Sequence, residues 1–198
     1  MKIKIKEGLY YFPELLSNKE IDSILNNIRA AKKVAPFFTP KMPKTGKEFS
    51  VKMTNMGTKG WVCDKEKGYR YQSTHPITNN KWPEISSDIL KIWQKLTNID
   101  SNPDCCLINY YNLNAKMGLH IDNDEKDFSY PVLSISIGAP ALFRFGGNKR
   151  SDSTKSIKLN HKDVIILSGE SRLIYHGIDR IYKNSKFDYR INLTLRKI

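Results

Sequence analysis

The chain has 198 residues and a formal charge of +13 at pH 7, with an isoelectric point near 9.6. Hydrophobic content of 39% and charged content of 27% are ordinary for a globular protein, and no run approaches the roughly 20 apolar residues of a membrane-spanning helix. Such an excess of Lys and Arg can simply keep a surface soluble, but it favours a polyanionic partner, most often nucleic acid, and argues against a binder of neutral sugars.

Met1 to Lys6 alternates Lys and Ile and lacks the continuous apolar core of a secretory signal. Cys63, Cys105 and Cys106 are odd in number and show no metal-type spacing. Reduced thiols in a cytoplasmic protein are therefore expected. Gly8 to Phe12 reads as a short strand ended by Pro13. Ser17 followed by Glu20 is a capping-box signature. Ile21, Ile24, Leu25 and Ile28 at helical spacing predict a helix from about Asn18 to Lys33.

Pro36, Pro40, Pro43 and Gly46, with lysines among them, predict a long basic loop of the kind that is usually functional or mobile. Val51 to Asn55 alternates like a strand, and Trp61 to Cys63 and Tyr69 to Tyr71 are two further candidates. Trp61, Tyr69 and Tyr71 interleave there with Lys59, Lys65, Lys67 and Arg70. Aromatics of this kind are commonly core residues; interleaved with positive charge they also suit base stacking and phosphate contact. A second helix is expected over Pro83 to Thr97, with Pro83 in its first turn and Ile85, Ile89, Ile92, Trp93 and Leu96 facing a sheet.

From Cys105 the pattern changes to short strands: Cys105–Leu113, Met117–Ile121, Pro131–Ile137, Ala141–Phe145, Ser156–Leu159, Val164–Leu167, Arg172–His176 and Tyr189–Arg196. They predict a sandwich or jelly roll. His120 and Asp122, two apart on a strand, would share one face. One more His would complete the two-His-one-carboxylate set that holds non-haem Fe(II) with positions left open. The chain has only four His. His176 ends a short apolar run before Gly177, whereas His75 and His161 are read as non-ligands. In the last strand Arg190, Asn192, Thr194 and Arg196 face one way and Ile191, Leu193 and Leu195 the other. Two buried arginines on one face need an anionic partner, and a small dicarboxylate is a natural candidate.

Taken in order, these motifs are specific. They are Met53-Thr-Asn55, Gly60-Trp61, Gly68-Tyr69-x-Tyr71, Asn109-Tyr-Tyr111, His120-Ile-Asp122-Asn-Asp124-Glu125, Phe145-Gly-Gly-Asn-Lys-Arg150, Ser168 to Gly177 and Arg190 to Arg196. From about Val51 to the C-terminus the chain resembles the AlkB family of Fe(II)- and 2-oxoglutarate-dependent dioxygenases, particularly its bacterial DNA-repair type. The resemblance implies an α+β, mainly β fold with a double-stranded β-helix (jelly-roll) core over residues 101–198. Residues 1–100 would then be an N-terminal extension of helices and a substrate-binding lid, packed on the core as one compact domain.

The resemblance also implies that His120, Asp122 and His176 bind iron and form the catalytic centre. Arg190 and Arg196 would pair with the carboxylates of 2-oxoglutarate, helped by Asn109, Tyr110, Tyr111 and Asn192. On the substrate side it implies Trp61, Tyr69, Arg70, Tyr71, Asp124 and Arg150. Trp61 would stack on an extruded base with His120 on the other side, Tyr69 and Tyr71 would line the pocket or touch the backbone, and Asp124 would favour cationic bases. Glu125 and Asp127 read as loop charges. Tyr110 stands where bacterial members often carry Arg, Ser168 where Gly is common, and Lys162 where a Gly usually precedes Asp163.

The implied reaction uses O2 as co-substrate to hydroxylate the methyl group of N1-methyladenine or N3-methylcytosine. Formaldehyde, succinate and CO2 are released. Alkylated single-stranded DNA is the expected partner, with double-stranded DNA or RNA as further candidates; a monomer with no membrane association is expected. Competing readings are an oxygenase of the same type acting on tRNA or protein, and a non-catalytic nucleic-acid-binding domain.

Overall fold

The Glu20 amide donates to the Ser17 hydroxyl at 3.2 Å while the Ser17 amide donates to the Glu20 carboxylate at 2.7 Å. This reciprocal cap starts helix α1 (Asn18–Val34), one residue longer than expected. The computed structural model describes residues 1–184 and 186–198. Before α1 lie strands β1 (Ile3–Lys6) and β2 (Leu9–Phe12). After it come β3 (Lys52–Gly57), β4 (Gly60–Asp64), β5 (Gly68–Gln72) and helix α2 (Ser87–Thr97). The rest of the chain forms β6 (Cys105–Asn112), β7 (Met117–His120), β8 (Val132–Gly138), β9 (Ala141–Phe145), β10 (Lys155–Leu159), β11 (Val164–Leu167), β12 (His176–Ile181) and β13 (Tyr189–Arg196).

These strands make a seven-stranded sheet in the order β1-β2-β11-β8-β13-β6-β3, a four-stranded sheet in the order β10-β9-β12-β7, and a separate hairpin β4-β5. The two larger sheets form the expected jelly roll. Strands β1, β2 and β3 extend its larger sheet, so the first hundred residues are built into the core sheet as well as packed on it.

Strand alternation sorts the side chains into two interiors. Ile191, Leu193 and Leu195 of β13 join Ile24, Ile28, Ile89, Ile92 and Trp93 in the layer between the large sheet and the two helices. Phe143, Phe145, Leu159, Val132, Ile165 and Ile178 fill the space between the sheets. Burying each such aliphatic or aromatic side chain contributes about 2–3 kcal/mol. The helices thus brace the outer face of the large sheet and leave its inner face to the polar residues of β6 and β13.

Several ends shift by one residue, and three boundaries differ from expectation in ways that bear on the site. Helix α2 starts at Ser87 rather than Pro83, because the preceding stretch is tied down elsewhere. The Trp82 indole donates to the Gln72 carbonyl at 2.9 Å, and the Gly57 amide donates to the Pro83 carbonyl at 2.7 Å. Arg172 caps a 3-10 turn over Gly169–Ser171 rather than opening a strand, and β12 begins only at His176. Finally, β7 ends at His120 and leaves Asp122 just beyond the ladder. Among the described residues no helix is long and apolar enough to cross a membrane.

Candidate active site

His120 and His176 are direct register partners across β7 and β12, which brings their ring centroids to 4.6 Å. Gly177 permits this closeness: a Cβ there would lie 2.5 Å from the Met117 carbonyl oxygen. Asp122 reaches both rings although it lies off the strand. Its Oδ1 is 3.7 Å from His120 Nε2 and its Oδ2 is 3.7 Å from His176 Nε2.

The Nδ1–H of His120 donates to the Gly118 carbonyl at 2.9 Å, and that of His176 donates to the Ile174 carbonyl at 3.0 Å. Both Nε2 lone pairs therefore point toward the carboxylate, the tautomer a metal requires. Burial pushes the His176 imidazole down to about 4, reinforced by His120 and opposed by Asp122. Burial would raise the Asp122 carboxyl, but Arg196 and then the two imidazoles outweigh it and hold it well below the usual carboxylate range. Two imidazoles offering Nε2 and an ionised carboxylate, with ligand atoms within 4.8 Å of one another, suit an iron centre.

Beside this cluster a cavity of about 590 Å³ opens between the sheets. Asn109, Tyr111, Arg190, Asn192, Thr194 and Arg196 line its floor. Arg190 is fully buried. It donates from Nη2 to the Ser136 hydroxyl at 2.8 Å, yet its Nε and Nη1 find no partner among the described residues. Burial lowers its guanidinium to about 10. Asn109 Oδ1 and Arg196 Nε are likewise unpartnered. The three unpartnered arginine nitrogens are buried donors, costly unless an anion meets them, whereas the Asn109 oxygen is an acceptor that needs a donor. A short dicarboxylate such as 2-oxoglutarate fits this floor. Tyr111 stands opposite Arg190 in the β6–β13 ladder.

Tyr110 does not belong to this set. It faces the helices, stacked on Tyr189 with centroids 6.0 Å apart, because neighbours on a strand point to opposite faces. Arg70 is excluded for the same reason. It turns away from Tyr69 and Tyr71 and pairs with Asp64 at 2.6 Å. Trp61, Tyr69, Asp124 and Arg150 do line the cavity mouth. The Trp61 indole donates to Asp124 Oδ2 at 2.7 Å, and its ring stacks on Tyr69. Arg150 donates to the Leu119 carbonyl at 2.9 Å. Tyr71 lies behind the cavity wall, its hydroxyl donating to Glu125 at 2.5 Å.

Glu125 is therefore not a loop charge. It is 5% exposed and pairs with Arg172, itself 2% exposed, at 3.0 Å. Arg172 also donates to the Asp122 carbonyl at 2.6 Å and the Tyr130 carbonyl at 2.9 Å, fixing the loop that carries the aspartate. The second departure from the family pattern, Ser168, keeps an extended backbone and donates to the Gly8 carbonyl at 3.2 Å.

Residues 8–196 match the 2OG-Fe(II) oxygenase superfamily. The chain is 41% identical over 199 residues to an alpha-ketoglutarate-dependent dioxygenase AlkB homolog of Caulobacter vibrioides, covering 98% of this chain and 90% of that protein. It is 39% identical over 183 residues to the alpha-ketoglutarate-dependent dioxygenase AlkB of Escherichia coli K12, covering 89% and 84%. The chain belongs to the AlkB family of dioxygenases. The solved structure of OsALKBH1 superposes over 100% of both chains with a TM-score of 0.86 at 26% identity. The enzyme thus uses Fe(II), 2-oxoglutarate and O2, its iron held at the His-Asp-His cluster, for oxidative dealkylation of nucleic acid.

Proposed function

We propose that the enzyme removes alkyl groups from cationic nucleobases, with N1-methyladenine and N3-methylcytosine in single-stranded DNA as its main substrates. The observation that carries this reading is the Trp61–Asp124 pair at the cavity mouth. An aromatic face and a carboxylate side by side favour a flat, positively charged base over its neutral parent. Such a base must leave its stack to reach the iron, and a single strand makes that least costly. Arg150 and the lysines of the loop and hairpin (Lys41, Lys44, Lys47, Lys65 and Lys67) are placed by sequence for the phosphates.

Arg190 and Tyr111 receive one carboxylate of 2-oxoglutarate, and Asn109, Asn192 and Arg196 receive the other end. With these groups in place, bound iron supplies the oxidising chemistry that hydroxylates the alkyl carbon. The hydroxymethyl group on the ring nitrogen then gives its hydroxyl proton to water and leaves as formaldehyde, and the N–C bond electrons return to the base and quench its charge. His120 and Trp61 hold the base, and the apolar walls Met53, Leu107 and Ile178 limit water. The β4–β5 hairpin, with Met42 and Phe49 of the basic loop beside it, acts as the lid.

We infer a monomer working in the cytoplasm, in line with three free, buried thiols that suit a reducing compartment. The test is a panel of matched oligonucleotides carrying one N1-methyladenine: single-stranded DNA, duplex DNA and single-stranded RNA. The reading expects the highest kcat/KM on single-stranded DNA. A preference for RNA by tenfold or more would move the substrate to RNA.

A further inference from the structure

Tyr71 is hidden from the cavity, yet its hydroxyl joins the hairpin to the metal site. It donates to Glu125 Oε1 at 2.5 Å and accepts from Arg196 Nη1 at 3.1 Å. Arg196 Nη2 donates to Asp122 Oδ1 at 2.8 Å. Glu125 Oε2 accepts from Arg172 Nη2 at 3.0 Å, and Arg172 Nη1 donates to the backbone carbonyl of Asp122 at 2.6 Å. The bonds close a ring that begins and ends on Asp122. Asp122, Glu125, Arg172 and Arg196 are all 6% exposed or less.

The hairpin that carries Tyr71 pairs with neither of the other sheets. A two-stranded ribbon is marginal by itself, so side-chain ties set its position. Trp61, at the cavity mouth, is the register partner of Tyr71. The Asn55 side chain of β3 accepts from the Trp61 amide at 3.0 Å and donates to its carbonyl at 3.1 Å, so a push on Trp61 reaches the Tyr71 hydroxyl only where it shifts the hairpin backbone that carries both. Arg196 Nη1 lies 3.6 Å from Glu125 Oε1, with the tyrosine oxygen bridging them. Withdrawal of that oxygen leaves Arg196 free to close the gap. Doing so draws Nη2 from Asp122 and releases a carboxylate lone pair that a metal also needs.

We propose that Tyr71 is a positioning residue that couples nucleic-acid binding on the β4–β5 hairpin to the Asp122–Arg196 pair at the metal site. The proposal rests on the reading of the site given above. A base that displaces Trp61 together with the hairpin backbone loosens the arginine's hold on Asp122, so metal binding tightens. By linkage the metal tightens nucleic-acid binding by the same factor. Tyr71→Phe removes the hydroxyl and keeps the ring, so the variant is set in the released state before any nucleic acid binds.

The experiment is anaerobic titration of Mn(II), which supports no turnover, in the presence of 2-oxoglutarate. It is run with and without a single-stranded oligonucleotide carrying N1-methyladenine. In the parent protein the oligonucleotide tightens Mn(II) by roughly fivefold or more. In Tyr71→Phe, Mn(II) binds more tightly without oligonucleotide, and the oligonucleotide adds less than twofold. A merely structural role would weaken Mn(II) instead. The same factor in both proteins, or no factor in the parent, overturns the coupling. A parent protein that fails to bind either Mn(II) or the oligonucleotide would overturn the reading of the site itself, and the coupling with it. If Tyr71→Phe fails to fold, Glu125→Asp, which keeps the charge beside Arg172 and shortens the reach to the Tyr71 hydroxyl, is read in its place: a reduced factor supports the coupling and an unchanged one overturns it.

Discussion

The indole N–H of Trp61 donates to Oδ2 of Asp124 at 2.7 Å, while the Trp61 ring stacks on Tyr69 with centroids 5.7 Å apart. One oxygen of Asp124 is thus held on the protein and the carboxylate is fixed at the mouth of the cavity. Its charge, rather than its shape, should decide which bases gain from it. Asp124→Asn keeps the shape and removes the charge. It is expected to lower kcat/KM about tenfold on N1-methyladenine, equivalent to about 1.4 kcal/mol, and to change turnover of neutral ethenoadenine less than threefold. Equal losses on both lesions would remove the charge argument.

Arg190 has two guanidinium nitrogens without partners among the described residues, in a fully buried position. Its charge is costly until an anion arrives. Arg190→Met is therefore expected to leave the ligand-free protein as stable as the parent or more so. The same variant should abolish the further rise in Tm that 2-oxoglutarate adds to Mn(II) alone in the parent. Thermal scans without ligand, with Mn(II) alone and with both check this. A strongly destabilised variant that still responds to 2-oxoglutarate would contradict the assignment.

The arginine face was legible in the chain because it follows a local rule, whereas the strand alternation that paired His120 with Asp122 does not hold, since β7 ends at His120 and arginines position the aspartate. Alternation on β13 separates Arg190, Asn192 and Arg196 from Ile191, Leu193 and Leu195, and the structure keeps that separation. The same rule applied to Asn109-Tyr110-Tyr111 and to Tyr69-Arg70-Tyr71 assigns Tyr110 and Arg70 to opposite faces, so both errors were avoidable. The Glu125–Arg172 pair was not legible. Its partners lie 47 positions apart, and nothing local marks a glutamate in a polar loop as buried. The starts of α2 and β12 were missed because long-range bonds from Pro83 and Arg172 override local propensity.

Removing one partner of a buried pair strands the other. Glu125→Ala leaves the Arg172 guanidinium without its carboxylate, 2% exposed. A loss of about 3–5 kcal/mol in unfolding free energy is expected. Urea denaturation measures it. A loss below about 1 kcal/mol, the value of a surface pair, would show that the pair is not desolvated in solution.

Lys162 occupies the left-handed region at φ 74°, where a side chain costs roughly 1 kcal/mol that glycine avoids. Lys162→Gly is expected to stabilise the fold by up to about 1 kcal/mol and to leave turnover unchanged, since this loop lies outside the cavity lining. A destabilisation would mean that packing of the lysine stem outweighs the backbone strain.

On the structure, His120, Asp122 and His176 hold the iron that demethylates a base. The direct measurement incubates the protein with Fe(II), 2-oxoglutarate, ascorbate and a single-stranded oligonucleotide bearing one N1-methyladenine, beside the His176→Ala variant. Oligonucleotide mass and succinate are read together. Loss of one methyl group per succinate formed is expected in the parent, and neither product from a folded His176→Ala. An unchanged oligonucleotide mass with iron-loaded parent protein, or full demethylation by the variant, would contradict it.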